Sequence, residues 1–199
     1  MDKGRLEAFS DGVVAILITI MVLSLAAPHG ADLAALMPLG QIFFSYVLSF
    51  VNLAIYWNNH HHLLQAASVV DGRVLWANMH LLFWLSIFPF ATSWMGATGF
   101  AALPTAVYGL VLLLAAIAYT ILLRTLIAVK GQTPRIAVAV GDDRKGRLSL
   151  VAYLVAAPLA LVAPLLALAL YVAVAVVWFV PDRRMERVLE SAPNGGDAR

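Results

Sequence analysis

The chain has 199 residues, 62% hydrophobic and 12% charged, with 13 Lys and Arg against 11 Asp and Glu for a net charge of +2. A mean hydropathy of +0.88 excludes an ordinary soluble domain, which carries about 45–50% apolar and about 25% charged residues, and excludes a disordered chain. The absence of cysteine excludes a disulfide scaffold, thiol catalysis and Cys-ligated zinc, and an integral membrane protein remains.

A helix needs about 20 apolar residues to cross roughly 30 Å of hydrocarbon. In chain order, the runs that meet this predict spans at residues 6–27, 36–57, 74–95 and 103–129. Lys3, Arg5 and the small residues Ala26 and Ala27 imitate a signal peptide, but Glu7 and Asp11 sit where such a peptide has no acids, so the first span is read as uncleaved. Residues 148–180 are apolar throughout and contain Pro158 and Pro164. That run is too long for one span and short for two. Charge decides: with a hairpin turning near Ala163 and Pro164, every one of the 13 Lys and Arg residues falls on one side, and loops 28–35 and 96–102 hold none. The positive-inside rule then predicts six spans with both termini cytoplasmic. The fifth span starts as early as Arg144, its basic residues snorkelling to the interface. Trp57, Trp76, Trp94 and Trp178 near span ends form an aromatic belt. The expectation is an all-α, polytopic membrane protein with no soluble domain, residues 1–189 forming one six-helix unit and residues 190–199 a disordered tail.

Polar residues are expensive in a membrane and mark its chemistry. Asp11 lies inside the first apolar run, close behind Arg5, Phe9 and Ser10. It serves either as a helix-start acid favoured by the dipole or as part of a buried network. The second span ends in Trp57-Asn58-Asn59-His60-His61-His62. Adjacent histidines do not share a helix face and no metal-ligand spacing accompanies them, so no metal or cofactor is expected. One or two of the histidines should bond inside the bundle, one of them to Asp11, with His80 of the third span a further candidate. Beyond Asp11, Ile16, Thr19, Ile20 and Leu23 follow the i, i+3, i+4, i+7 spacing of one helix stripe. Spacing alone leaves packing, lipid contact and pore lining open.

The run Arg5-Leu-Glu-Ala-Phe9-Ser10-Asp11, continuing into Gly12-Val-Val-Ala-Ile16-Leu-Ile-Thr19-Ile20, resembles the signature of the transmembrane protein 175 family of potassium channels. Trp57 with its histidines, and Asn78-Met-His80 with Trp84, Pro89 and Phe90, fit the same family. Animal members carry two six-span repeats and act as lysosomal cation channels. One repeat resembles the prokaryotic members, which assemble as homotetramers in the cell membrane. The resemblance implies hydrophobic pore constrictions at Ile16, Ile20 and Leu23 and a selectivity threonine at Thr19. It implies a structural role for Arg5, Phe9, Ser10 and Asp11, packed on the second and third spans with His61, His62 and His80. Its implied partners are a second, third and fourth copy, the lipid bilayer, and K⁺ with other monovalent cations, and no nucleic acid. Apolar rings gate by dewetting, and threonine hydroxyls replace part of an ion's hydration. The rival readings are a proton-coupled secondary transporter using Asp11 and the histidines, which lacks matched broken helices in two halves, and an intramembrane enzyme, which lacks a nucleophile–base pair.

Overall fold

The computed structural model describes residues 2–130 and 143–179, and every regular element in them is helical. The expected tail at 190–199, the unit's limit at 189, the end of the last span at Val180, and Arg135, Arg183, Arg184, Arg187 and Arg199 lie outside the described residues.

Helix α1 spans Lys3–Leu23, opened by the Asp2 carboxylate, which accepts from the Gly4 N–H at 3.2 Å. It stops short of Ala27, where Ser24 Oγ donates to Met21 O at 2.6 Å and Pro28 restricts the residue before it. Two 3₁₀ turns, Leu33–Ala35 and Met37–Leu39, precede α2 because Pro38 cannot donate to a regular turn. Helix α2 covers Gly40–Ala66 and runs well beyond Trp57, since Leu63 and Leu64 are buried and hold the histidine segment against the bundle. Lys3 Nζ donates to Gln65 O and Ala67 O at 3.4 and 3.2 Å, so a cation from the start of α1 caps the negative end of α2.

The third span is not one helix. Helix α3, Gly72–Ser86, gives way at Ile87 to α4, Phe88–Ala97, because Pro89 lacks an N–H and occupies the first turn of a new helix. Helix α5 spans Ala102–Ala128, close to the expected 103–129. Helices α6, Arg144–Leu159, and α7, Pro164–Phe179, form the expected hairpin. Its turn is closed by Val162 N–H on Leu159 O, and Pro164 opens the return. Each has 16 residues, about 24 Å at 1.5 Å per residue. The other four helical segments, with α3 and α4 counted together, are each long and apolar enough to cross a membrane.

Packing is uneven. Helix α1 rests on α2, α3 and α4, whereas α5 is central, touching α3, α4, α6 and α7. Close approaches need glycine: a Cβ on Gly96 would strike Ser45 of α2, and one on Gly109 would strike the Tyr171 ring of α7. Fully buried Leu53, Leu81, Phe88, Tyr108, Leu112 and Tyr171 fill the middle.

Candidate functional site

Helix α1 has two faces. Its buried residues are Leu6, Ser10, Val14, Leu17 and Met21, spaced three or four apart and packed on the bundle. The opposite stripe is uncovered in the single chain: Ile16 is 60% exposed, Ile20 48% and Leu23 78%, with Thr19 exposed between them. Leu17, beside Ile16 in sequence, is buried. Thr19 Oγ1 donates to Ala15 O at 2.9 Å. With its proton committed there, the oxygen presents lone pairs outward, the polarity that suits a cation.

A hydrogen-bond chain anchors the buried face. His60 Nε2 donates to Asn78 Oδ1 at 2.7 Å, Asn78 Nδ2 donates to Ser10 Oγ at 2.9 Å, and Ser10 Oγ donates to Leu6 O at 2.9 Å. Asn78 Oδ1 only accepts, which fixes the His60 proton on Nε2. All three side chains are buried, so the chain ties α1, α2 and α3 together where stranded polar groups would be costly. A second set of contacts joins α1 to α2 at the half-exposed edge. Trp57 Nε1 donates to Asp11 Oδ1 at 2.9 Å. The His61 ring stacks on Trp57 at 5.8 Å, and its Nε2 accepts from Gln65 Nε2 at 2.8 Å. That leaves the His61 proton on Nδ1, 3.2 Å from Glu7 Oε1 but not aligned as a hydrogen bond. Deeper in the bundle Thr92 Oγ1 donates to Ser49 Oγ at 2.6 Å, Ser49 Oγ donates to the Tyr108 hydroxyl at 3.0 Å, and Thr92 touches Met21 Sδ at 3.9 Å.

Several expected members fall elsewhere. Arg5 and Phe9 are both exposed in the single chain, because they lie on the stripe side of α1. His80 points away from the anchor, exposed, with its Nε2 accepting from Trp84 Nε1 at 2.9 Å one turn along α3. His62 is half-buried with its ring 5.7 Å from His61, and its Nδ1 has no partner among the described residues. Asp11 bonds to an indole, not to a histidine. Trp57, Glu7, Gln65 and Asn78 escaped the sequence reading as site residues. Asn78 carried the one available signal: an amide inside an apolar run needs partners for both its donor and its acceptor.

The fold and these contacts define an all-α polytopic membrane protein whose first helix is clamped on one face and bare on the other. The family model for the endosomal/lysosomal potassium channel TMEM175 matches residues 5–89, from α1 into α4. A potassium channel of Chryseobacterium sp. (strain P1-3) is 47% identical over 190 residues, 96% of this chain and 99% of that protein. A potassium channel of Streptomyces collinus is 33% identical over 59% of this chain and 61% of its own. The crystal structure of a lysosomal potassium-selective channel TMEM175 homolog from Chamaesiphon minutus superposes with a TM-score of 0.76 at 25% identity, covering 89% of this chain and 96% of that one. The chain belongs to the TMEM175 family.

Proposed function

We propose that this protein is a potassium-permeable cation channel of the prokaryotic plasma membrane, built from four copies arranged around an axis lined by α1. One observation carries the reading: the stripe of Ile16, Thr19, Ile20 and Leu23 is bare in the single chain, while the other face of the same helix is buried and hydrogen-bonded into the bundle. One helix per chain cannot enclose a path, and closed symmetric rings are the usual solution for a shared surface. Relatives bearing the name potassium channel support the choice of ion. In this reading Ile16, Ile20 and Leu23 form apolar rings that close the path by dewetting. Thr19 contributes a ring of lone pairs. A large, weakly hydrated ion such as K⁺ loses less on partial dehydration than Na⁺, which sets the direction of selectivity. Ser10, Asn78, His60, Asp11 and Trp57 hold α1 in position and lie outside the ion path. Both termini face the cytoplasm, where Lys3, Arg5, Arg73 and the basic residues around α6 gather.

The test is current through purified protein in planar bilayers under bi-ionic K⁺ and Na⁺. Ohmic unitary events with a reversal potential favouring K⁺ are expected. Slow saturable flux without unitary events would instead assign a transporter.

A further inference from the structure

The first turn of α3 and the last turns of α5 border an open groove of about 490 Å³, lined in part by Arg73, Trp76, His80, Ile121, Arg124 and Thr125. Its polar groups offer protons and accept few. Arg124 is exposed and makes no hydrogen bond or ion pair among the described residues. It projects from a helix whose other exposed positions include Ile117, Ile121 and Ile127, so a permanent charge sits among apolar side chains on the surface of the single chain. Arg73 is partly engaged, its Nε and Nη2 donating to Asp71 Oδ2 at 3.0 and 2.9 Å. His80 Nε2 accepts from Trp84, which leaves its Nδ1 carrying the proton. Trp76 is 78% exposed, with an amphipathic ring of the kind that settles at headgroup level. Among the described residues no carboxylate lines the groove, and Asp71 beside it is already engaged by Arg73.

We infer that this groove binds an anionic phospholipid, its phosphate held by Arg124 with the His80 and Trp76 N–H groups, and its acyl chain lying along Ile121 and the small residues beside it. A guanidinium offers five donors in a planar fork that matches phosphate oxygens. Basic pockets between helices on the cytoplasmic side suit such headgroups. A zwitterionic lipid would bring its own cation to a groove lined by Arg73 and Arg124, whose nearby carboxylate, Asp71, is already paired with Arg73. The site uses none of the α1 stripe residues, so its failure would leave the channel reading standing.

Native mass spectrometry of the whole protein, extracted in mild detergent and offered phosphatidylglycerol and phosphatidylcholine in competition, reads the site directly. Wild type should retain phosphatidylglycerol preferentially. Arg124→Gln should weaken that retention about tenfold to a hundredfold, the range for losing one charged hydrogen-bond partner, and Arg124→Lys should fall between. Equal retention by Arg124→Gln and wild type would overturn the inference. A photoactivatable phosphatidylglycerol on wild type gives an answer that needs no variant. Labelling of peptides containing Arg73 to His80 and Ile121 to Thr125 is expected. Labelling confined elsewhere, or equal labelling by a phosphatidylcholine analogue, would overturn it. Inorganic phosphate should compete poorly. Full displacement by phosphate at low concentration would assign the groove to a free anion and refute the lipid.

Discussion

Thr19 and Leu17 sit two positions apart on α1 yet face opposite ways, one exposed with its hydroxyl proton on Ala15 O, the other 5% exposed in the core. Substitutions at these sites should therefore separate permeation from packing. Thr19→Val keeps the shape and removes the lone pairs, so the K⁺/Na⁺ permeability ratio should fall with assembly intact. Ile16→Asn wets an apolar ring and should raise current while weakening K⁺ preference. Leu17→Asn buries an amide with no partner and should reduce folded yield by an unsatisfied group's cost of about 1–3 kcal/mol. Reversal potentials and size-exclusion profiles of the three variants check this. Unchanged permeation in both Thr19→Val and Ile16→Asn would remove α1 from the ion path. The anchor makes a second prediction. Asn78 is fully buried and bonded on both sides, whereas Asp11 is half-buried and bonded to a Trp57 that is 42% exposed. Asn78→Ala strands the buried His60 Nε2–H, at about 1–3 kcal/mol, and removes the donor to Ser10, whose hydroxyl keeps Leu6 O. It should lower the thermal midpoint more than Asp11→Ala does. The reverse order would place the main anchor at the Asp11–Trp57 edge.

Helices meet here through small residues and single hydrogen bonds, since lipid offers no hydrophobic drive between them. Gly109 lets α5 approach the Tyr171 ring of α7, and the Tyr171 hydroxyl donates to Thr105 O at 3.3 Å. Gly109→Ala forces that ring away and should destabilise by about 1–3 kcal/mol, the usual cost of overpacking a well-filled core. Detergent thermal melts of the variant would show it, and a midpoint equal to wild type would mean that α5 and α7 separate freely. The break between α3 and α4 belongs to this scale too. Pro89 ends the hydrogen-bond ladder, and the new helix carries Thr92 and Gly96 to α1 and α2. Asp71 opens α3 by accepting from the Arg73 and Val74 N–H groups at 3.0 and 3.1 Å. The Val74 N–H first, and Arg73 with it, hold its carboxyl below the ordinary carboxylate range.

Across the whole molecule, α1 lies at one margin of the bundle with five buried positions, while α5 is enclosed by α3, α4, α6 and α7 and hydrogen-bonded to α2. Such a marginal helix with a bare apolar stripe needs either lipid or other copies. Native mass spectrometry in mild detergent is expected to show a fourfold homomer, and monomers or dimers alone would count against a shared axial path. Charge sets the orientation. A reporter fused after Arg199 should be active only in the cytoplasm, and periplasmic activity would require an odd number of spans.

The sequence alone determined what depends on composition and local periodicity. Hydrocarbon thickness fixes span length, so the run at 103–129 announced α5, whereas the run at 148–180, too long for one span and short for two, needed the placement of Lys and Arg to be read as the α6–α7 hairpin. The stripe from Ile16 to Leu23 was legible because helix spacing places those residues on one face whatever surrounds them. The tertiary structure decided everything that needs two helices at once. Periodicity shows that Ile16 and Leu17 differ in direction but not which of them meets the bundle. Nothing local distinguishes His60, buried on Asn78, from His62 two residues on, because a partner 18 residues away along the chain is chosen by how α2 and α3 pack. For the same reason Asp11 found the Trp57 indole and His80 turned outward: in a medium without water a polar side chain takes whichever partner the packed helices bring within reach.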